Sequence, residues 1–146
     1  MPLPQLPGIE SPQQGESVVL LHQGAGSTID HFLRGPLEAW QARIIEVDSA
    51  EAPNHHLQSV MMAAQLVVVV RYLPRCWLRA LRQLRKAGIR LVYLMDDDLL
   101  DPALLPQLPA PYRQRLRQRI TRQRSRLPEL CDPIWVTSAF LERKYA

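Results

Sequence analysis

Leu66-Val67-Val68-Val69-Val70 is the stretch that decides the fold. Its aliphatic residues follow one another with no polar alternation, the pattern of a β-strand covered on both faces. Such a strand needs helices on either side of its sheet. Downstream, Pro74 suits the first turn of a helix. The apolar face of that helix is Trp77, Leu78, Leu81 and Leu84, opposed by Arg75, Arg79, Arg82 and Lys86. Gly88 supplies a left-handed stop, and a second apolar strand follows over 89–95, closed by Asp96-Asp97-Asp98.

The same alternation extends in both directions. Upstream, Val18-Val19-Leu20-Leu21 reads as a strand leading into Gly24-Ala25-Gly26-Ser27. A helix is expected from Ser27 or Thr28, with a hydroxyl capping its first free N–H groups. Gly35-Pro36 is a candidate break, Ile44, Ile45 and Val47 a further strand ending at Asp48-Ser49, and 57–64 a weak helix. Beyond the aspartates come a proline-punctuated loop over 100–111, a helix over 112–127, a strand over 134–137 and a last helix capped by Ser138. The expected fold is α/β, a Rossmann-like doubly wound, mostly parallel sheet of about five strands. Residues 1–15, rich in proline and glutamine, read as a flexible leader. The domain is assigned to 16–146, and its last helix is expected to be cut short, leaving the fold incomplete and Trp135 poorly covered.

Composition narrows the class. The 146 residues hold 47% hydrophobic and 22% charged residues, ordinary for one soluble domain. Met1 leads into Pro2, Pro4 and Pro7 with neither a basic start nor an apolar core, so no targeting signal is read. No apolar run approaches the length of a bilayer span. Cys76 and Cys131 have no metal or redox spacing and are expected as buried free thiols in a reducing cytoplasm.

In an open parallel sheet, ligands bind beyond the carboxyl ends of the strands. Gly24 and Gly26 with Ser27 can bring backbone close to a phosphate or sugar, or can simply form a turn and cap. Asp96, Asp97 and Asp98 repel one another unless donors or a cation compensate. One could act as general base for a hydroxyl, two could hold a divalent metal, or one could cap the next turn. Arg71 can meet an anion, or pair with Asp48 or one of the three aspartates. His55-His56 is read as solvated loop, and His22 as a packed histidine at a strand end.

The helix over 112–127 places Tyr112, Leu116, Ile120, Gln123 and Leu127 within roughly an 80° sector. Arg113, Arg117 and Arg124 flank that stripe on one side, and Arg115, Arg119, Arg122 and Arg126 on the other. With no acid in the segment, an anionic partner is expected. Phospholipid headgroups fit beside an apolar stripe. Nucleic acid is disfavoured because no aromatic residues interleave to stack bases. The alternative is a core-facing helix whose arginines pair with acids elsewhere.

From Leu66 onward the order of features resembles the N-terminal half of the GT-B glycosyltransferases, particularly the retaining group called family 4. The resemblance rests on Val67-Val68-Val69-Val70-Arg71, on Ala87-Gly88-Ile89-Arg90-Leu91-Val92-Tyr93-Leu94-Met95-Asp96-Asp97-Asp98-Leu99, and on Cys131-Asp132-Pro133-Ile134-Trp135-Val136-Thr137-Ser138-Ala139-Phe140-Leu141-Glu142. Upstream, Arg34-Gly35-Pro36-Leu37 resembles the stretch after that family's first glycine-rich turn. The resemblance implies a cytoplasmic enzyme, in places peripheral at the inner membrane face, that moves sugar from a nucleotide-sugar to a glycan or lipid-linked acceptor, as in bacterial cell-surface polysaccharide synthesis. It implies acceptor binding mainly by this domain and donor binding mainly by a second one, whose glutamate motif this chain does not match. Asp96 and Asp98 are the catalytic candidates, with Gly24, Gly26, Ser27, Arg71, Asp97 and Ser138 as substrate-binding candidates and no cofactor. A GT-A-like enzyme using Asp96 and Asp98 as an Asp-x-Asp motif would instead need Mn or Mg. A third reading is a non-catalytic module for anionic surfaces.

Overall fold

The computed structural model describes residues 14–98, 100–131 and 133–145. Most of the expected leader, together with Leu99, Asp132 and Ala146, lies outside them. Five strands form one parallel sheet: β1 (Ser17–His22), β2 (Arg43–Asp48), β3 (Leu66–Val70), β4 (Arg90–Met95) and β5 (Ile134–Val136). Their spatial order is β2-β1-β3-β4-β5, so the direction of winding reverses between β1 and β3.

That reversal distributes the helices. Because crossovers are right-handed, the β1–β2 connection must lie on one face and the later ones on the other. The first connection consists of α1 (Gly26–Phe32) and α2 (Arg34–Ala39), whose Ile29, Leu33 and Leu37 pack with Val18, Leu20, Val68, Val70 and Leu94. On the opposite face lie α3 (His55–Met62), α4 (Leu78–Lys86), α5 (Ala110–Arg119) and α6 (Leu127–Leu130). Their Met61, Leu81, Leu84, Leu116 and Leu130 meet Val19, Leu21, Val67, Val69 and Tyr93. Alternate residues of β3 thus serve two different cores, and all five are buried. At the far end of β2, Trp77 inserts just before α4, its indole N–H shared between the carbonyls of Ser49 and Glu51, each 3.0 Å away.

Several local expectations need correction. Helix α1 is not capped by a hydroxyl: Ala25 occupies the N-cap without a side-chain bond, and the Thr28 hydroxyl is used elsewhere. The break between α1 and α2 falls at Leu33, ahead of Gly35-Pro36. The helix expected over 112–127 is three pieces. α5 ends at Arg119, Ile120 takes φ −147° and ψ −50°, a 3-10 turn covers Thr121–Arg126, and α6 follows. The bend lets the Gln123 carboxamide donate to the carbonyl of Gln118 at 2.8 Å. Cys76 is exposed in a 3-10 turn before α4, whereas Cys131 is buried as expected. Trp135 is covered, at 4% exposure. Among the described residues, no helix is long and apolar enough to cross a membrane.

The carboxyl edge of the sheet as candidate functional site

Every parallel strand delivers its last residue to the same edge, and in open sheets the winding reversal, here between β1 and β3, is where a ligand crevice is expected. Arg71 directly follows β3, and its φ of +64° is rare for a side-chain-bearing residue. Its peptide closes a γ-turn, with the N–H of Tyr72 donating to the carbonyl of Val70 at 2.7 Å. Three contacts hold this strained residue. Its own N–H donates to Leu94 O at 2.9 Å. Its carbonyl accepts from the buried Tyr93 hydroxyl at 2.7 Å, and its guanidinium meets two aspartates. Burial pushes the Tyr93 phenol well above its usual range, so it remains a donor at any physiological pH.

The aspartates after β4 take three different roles. Asp96 accepts from the Thr28 hydroxyl at 2.6 Å and faces Arg71 Nε at 3.2 Å. The second contact is misaligned, so it is an ion pair without a hydrogen bond between two buried atoms. Asp97 accepts from Arg71 Nη2 at 3.2 Å while its side chain stays 65% exposed. Asp98 turns the other way, accepting from Lys144 Nζ and the Tyr145 hydroxyl of the last helix, α7 (Ala139–Tyr145). Lys144 also bonds Asp101. Three adjacent carboxylates are therefore tolerated because each has its own donors.

Arg71, Asp96 and Asp97 are brought together, and β1 joins them through Thr28. Gly24, exposed with φ +63°, and Gly26, the first residue of α1, stand at the end of β1 beside exposed Ser27. Ala25 N–H donates to His22 Nδ1 at 3.3 Å, while His22 Nε2 meets Glu46 at 3.1 Å. An added Cβ at either glycine would meet nothing within 4 Å, so neither position is explained by crowding. Ser138 caps α7, its hydroxyl accepting from Leu141 N–H at 3.3 Å. Its neighbour Thr137 donates to the Asp96 carbonyl at 3.3 Å. A cleft of about 570 Å³ runs from Thr137 and Ser138 along Trp135 to Phe32, the last residue of α1, and Leu33.

Two features of the edge had only weak signals in sequence. Thr28, Tyr93, Lys144 and Tyr145 contact their partners across tens of residues of chain. Tyr72, next to Arg71, has the guanidiniums of Arg71 and Arg119 at 5.5 and 5.4 Å from its ring centroid. Arg119 O also accepts from Leu73 N–H, which brings the end of α5 to the crevice. His55 and His56 are exposed as expected, but they form the first turn of α3 and do not lie in a loop. Among the described residues, no three His, Cys, Asp or Glu side chains gather as a metal-binding group.

The fold and its edge thus define a parallel α/β domain with a polar, charge-paired cluster beside the winding reversal at the carboxyl edge of its sheet. No family model, curated protein or solved structure matches this chain.

The strain at Arg71 is directly testable. An L-residue in the left-handed region costs about 1–2 kcal/mol that glycine avoids. Arg71→Ala and Arg71→Gly both lose the ion pairs, but urea unfolding should find the glycine variant more stable by about 1 kcal/mol. Equal stability, or a more stable alanine variant, contradicts the assigned turn.

The α7 anchor gives a pH signature. The Lys144 hydrogen bond, aided by Ala103 N–H, holds Asp101 below its usual pKa. Hydrogen bonds from Lys144 to Asp101 and Asp98 raise the lysine. A depressed acid contributes stability above its unfolded pKa and loses it as pH falls through the folded value. A raised lysine contributes below its unfolded pKa and loses that only as pH rises through the folded value. The contribution is therefore constant from about pH 5 to 9 and declines below about pH 4. Urea midpoints of Lys144→Met should fall less on acidification than those of the parent; parallel acid profiles would contradict the assignment.

Proposed function

We propose that this domain forms the acceptor side of a sugar-transfer cleft, binding a glycan or lipid-linked acceptor at the carboxyl edge of its sheet. The nucleotide-sugar would be held mainly by a second domain. The observation that carries this reading is Asp97: a solvent-facing carboxylate fixed through Arg71 to the buried side of the crevice, next to the β1–β3 reversal. Sugar hydroxyls are both donors and acceptors, and a carboxylate beside a guanidinium offers both complements. In this reading Asp97 accepts from an acceptor hydroxyl, Arg71 donates to a neighbouring oxygen, and Gly24, Gly26 and Ser27 form the opposite wall. Asp96 positions Arg71. Asp98 secures α7 and with it the Ser138 side of the crevice. The motif order shared with GT-B enzymes supports the assignment, and no covalent role falls to any of the acids.

Metal-independent binding fits the contacts better than an Asp-x-Asp site. Asp96 and Asp98 are engaged by separate protein donors and face different elements. A divalent ion bound to both would have to displace Thr28, Arg71, Lys144 and Tyr145.

A screen of the whole chain against immobilised glycans and lipid-linked saccharides, followed by calorimetry on the strongest ligand, tests the reading. Binding should survive EDTA and weaken about tenfold in Asp97→Asn, the loss of one charged hydrogen bond. Nucleotide-sugars alone should give no comparable heat. Manganese-dependent binding of a nucleotide-sugar, lost in Asp96→Asn, would instead establish the GT-A-like donor site.

A further inference from the structure

The bend at Ile120 changes what the arginine-rich segment can do. Arg113 and Arg117 lie one turn apart on α5 and so share a side of the helix. A straight continuation would carry the next arginines onward along the axis. Instead the 3-10 turn returns Arg122 to them. Arg113, Arg117 and Arg122, with the carboxamides of Gln114 and Gln118, line a hollow of about 320 Å³. Gln118 and Arg122 also line a second hollow of about 410 Å³, to which the 3-10 turn before α4 contributes Arg75.

From this arrangement we infer a binding site for clustered phosphate groups, centred on Arg113, Arg117 and Arg122 with Arg75 alongside. The charge of this basin is not answered by any ion pair among the described residues. No acidic residue occurs between Asp101 and Glu129 in the sequence. Among the described residues, Arg113, Arg117 and Arg122 have no ion-pair partner, whereas Arg126 reaches Glu129 at 3.5 Å. Like charges held around one concavity repel, and an oxyanion between them turns that repulsion into attraction. Guanidinium is the side chain best matched to phosphate, since its planar fork can donate two parallel hydrogen bonds to one group. Glutamine carboxamides add neutral donors without adding to the repulsion.

The surroundings favour a compact soluble phosphate over insertion into a bilayer. Leu116, Ile120 and Leu127 are only 3%, 0% and 1% exposed, because the apolar stripe of this segment is consumed by the protein core. What faces solvent is charge and hydrogen-bonding capacity in a recess. Apolar area, which drives interfacial helices into lipid, is confined in the two hollows mainly to Ala110 and the half-buried Leu78. Tyr112, the aromatic residue of the segment, is partly buried against the core and has Arg115 at 5.7 Å from its ring centroid. The site rests on this arginine-lined recess and is independent of the sugar-transfer reading.

Isothermal calorimetry of the full chain with sodium tripolyphosphate tests it. The parent should bind, with affinity falling as salt is raised. Arg117→Gln and Arg122→Gln should each weaken binding about tenfold, the loss of charge-assisted bonds. Arg43→Gln, an exposed arginine at the start of β2, should leave it unchanged. Both basin residues are exposed, so unchanged circular-dichroism melting is expected for their variants. Absence of binding by the parent, or an equal loss in Arg43→Gln, overturns the proposal. Cosedimentation with phosphatidylcholine vesicles, with and without phosphatidylserine, separates the sources. Tripolyphosphate binding without sedimentation assigns a soluble ligand. Sedimentation that tripolyphosphate reverses assigns lipid headgroups to the same site. Sedimentation without tripolyphosphate binding, or one that tripolyphosphate cannot reverse, would mean an extended charged surface and overturns the site.

Discussion

Five consecutive residues of β3 are shut off from water on both faces of the sheet, and this burial dictates what can lie on either side. Their side chains point alternately into two cores, so helices must cover both faces, and their backbone groups must be paired by a neighbour on each edge. β1 and β4 supply that pairing in parallel register. Parallel neighbours in turn require long crossovers, and right-handed crossovers leaving in opposite directions place helices on opposite faces. Burying each valine contributes about 1.5–3 kcal/mol before entropy is counted. The same geometry gathers the carboxyl ends of all five strands at one edge.

At that edge the protein holds costly groups in fixed positions. Arg71 occupies a backbone conformation that disfavours side chains, Asp96 is mostly withdrawn from solvent, and three carboxylates follow one another in sequence. Each cost is offset by a contact from a different element: Tyr93 of β4 to the Arg71 carbonyl, Thr28 of α1 to Asp96, and Lys144 and Tyr145 of α7 to Asp98. Removing one partner from a half-buried ion pair costs more than the pair contributes, because a desolvated charge remains. The network therefore ties β3, β4, α1 and α7 together and leaves Asp97 facing outward. Strain held in place by surrounding structure often accompanies ligand sites, which is why the sugar-transfer reading centres on this edge.

The sheet was legible because apolar runs without polar alternation have few other structural meanings in a chain this long. The runs at 18–21 and 66–70 became fully buried strands, 89–95 became a strand from Arg90 that is buried from Leu91 on, and the aspartates fell at its end as expected. The contacts that give those aspartates their roles were not legible. Thr28 and Asp96 are 68 residues apart, and nothing in either segment specifies the other. The bend at Ile120 was hidden for a different reason. No glycine or proline interrupts 112–127, and the apolar spacing of Leu116, Ile120 and Leu127 suits a continuous helix. The bend is marked instead by contacts outside that pattern, the Gln123 bond to Gln118 O and the Leu73 bond to Arg119 O. Cys76 was misread because the helix begins after Trp77, leaving Cys76 in an exposed preceding turn.

The central claim is that ligand recognition belongs to the carboxyl edge, organised by Arg71 and its two aspartates. Amide chemical-shift mapping with the best-binding saccharide tests it most directly, because each strand reports on both of its ends. Shifts should concentrate at Gly24, Gly26, Arg71, Tyr72, Asp96, Asp97 and Thr137, with Ser17, Arg43, Leu66 and Arg90 at the opposite edge unmoved. Shifts concentrated at the amino ends of the strands, or spread evenly over both edges, would contradict the account.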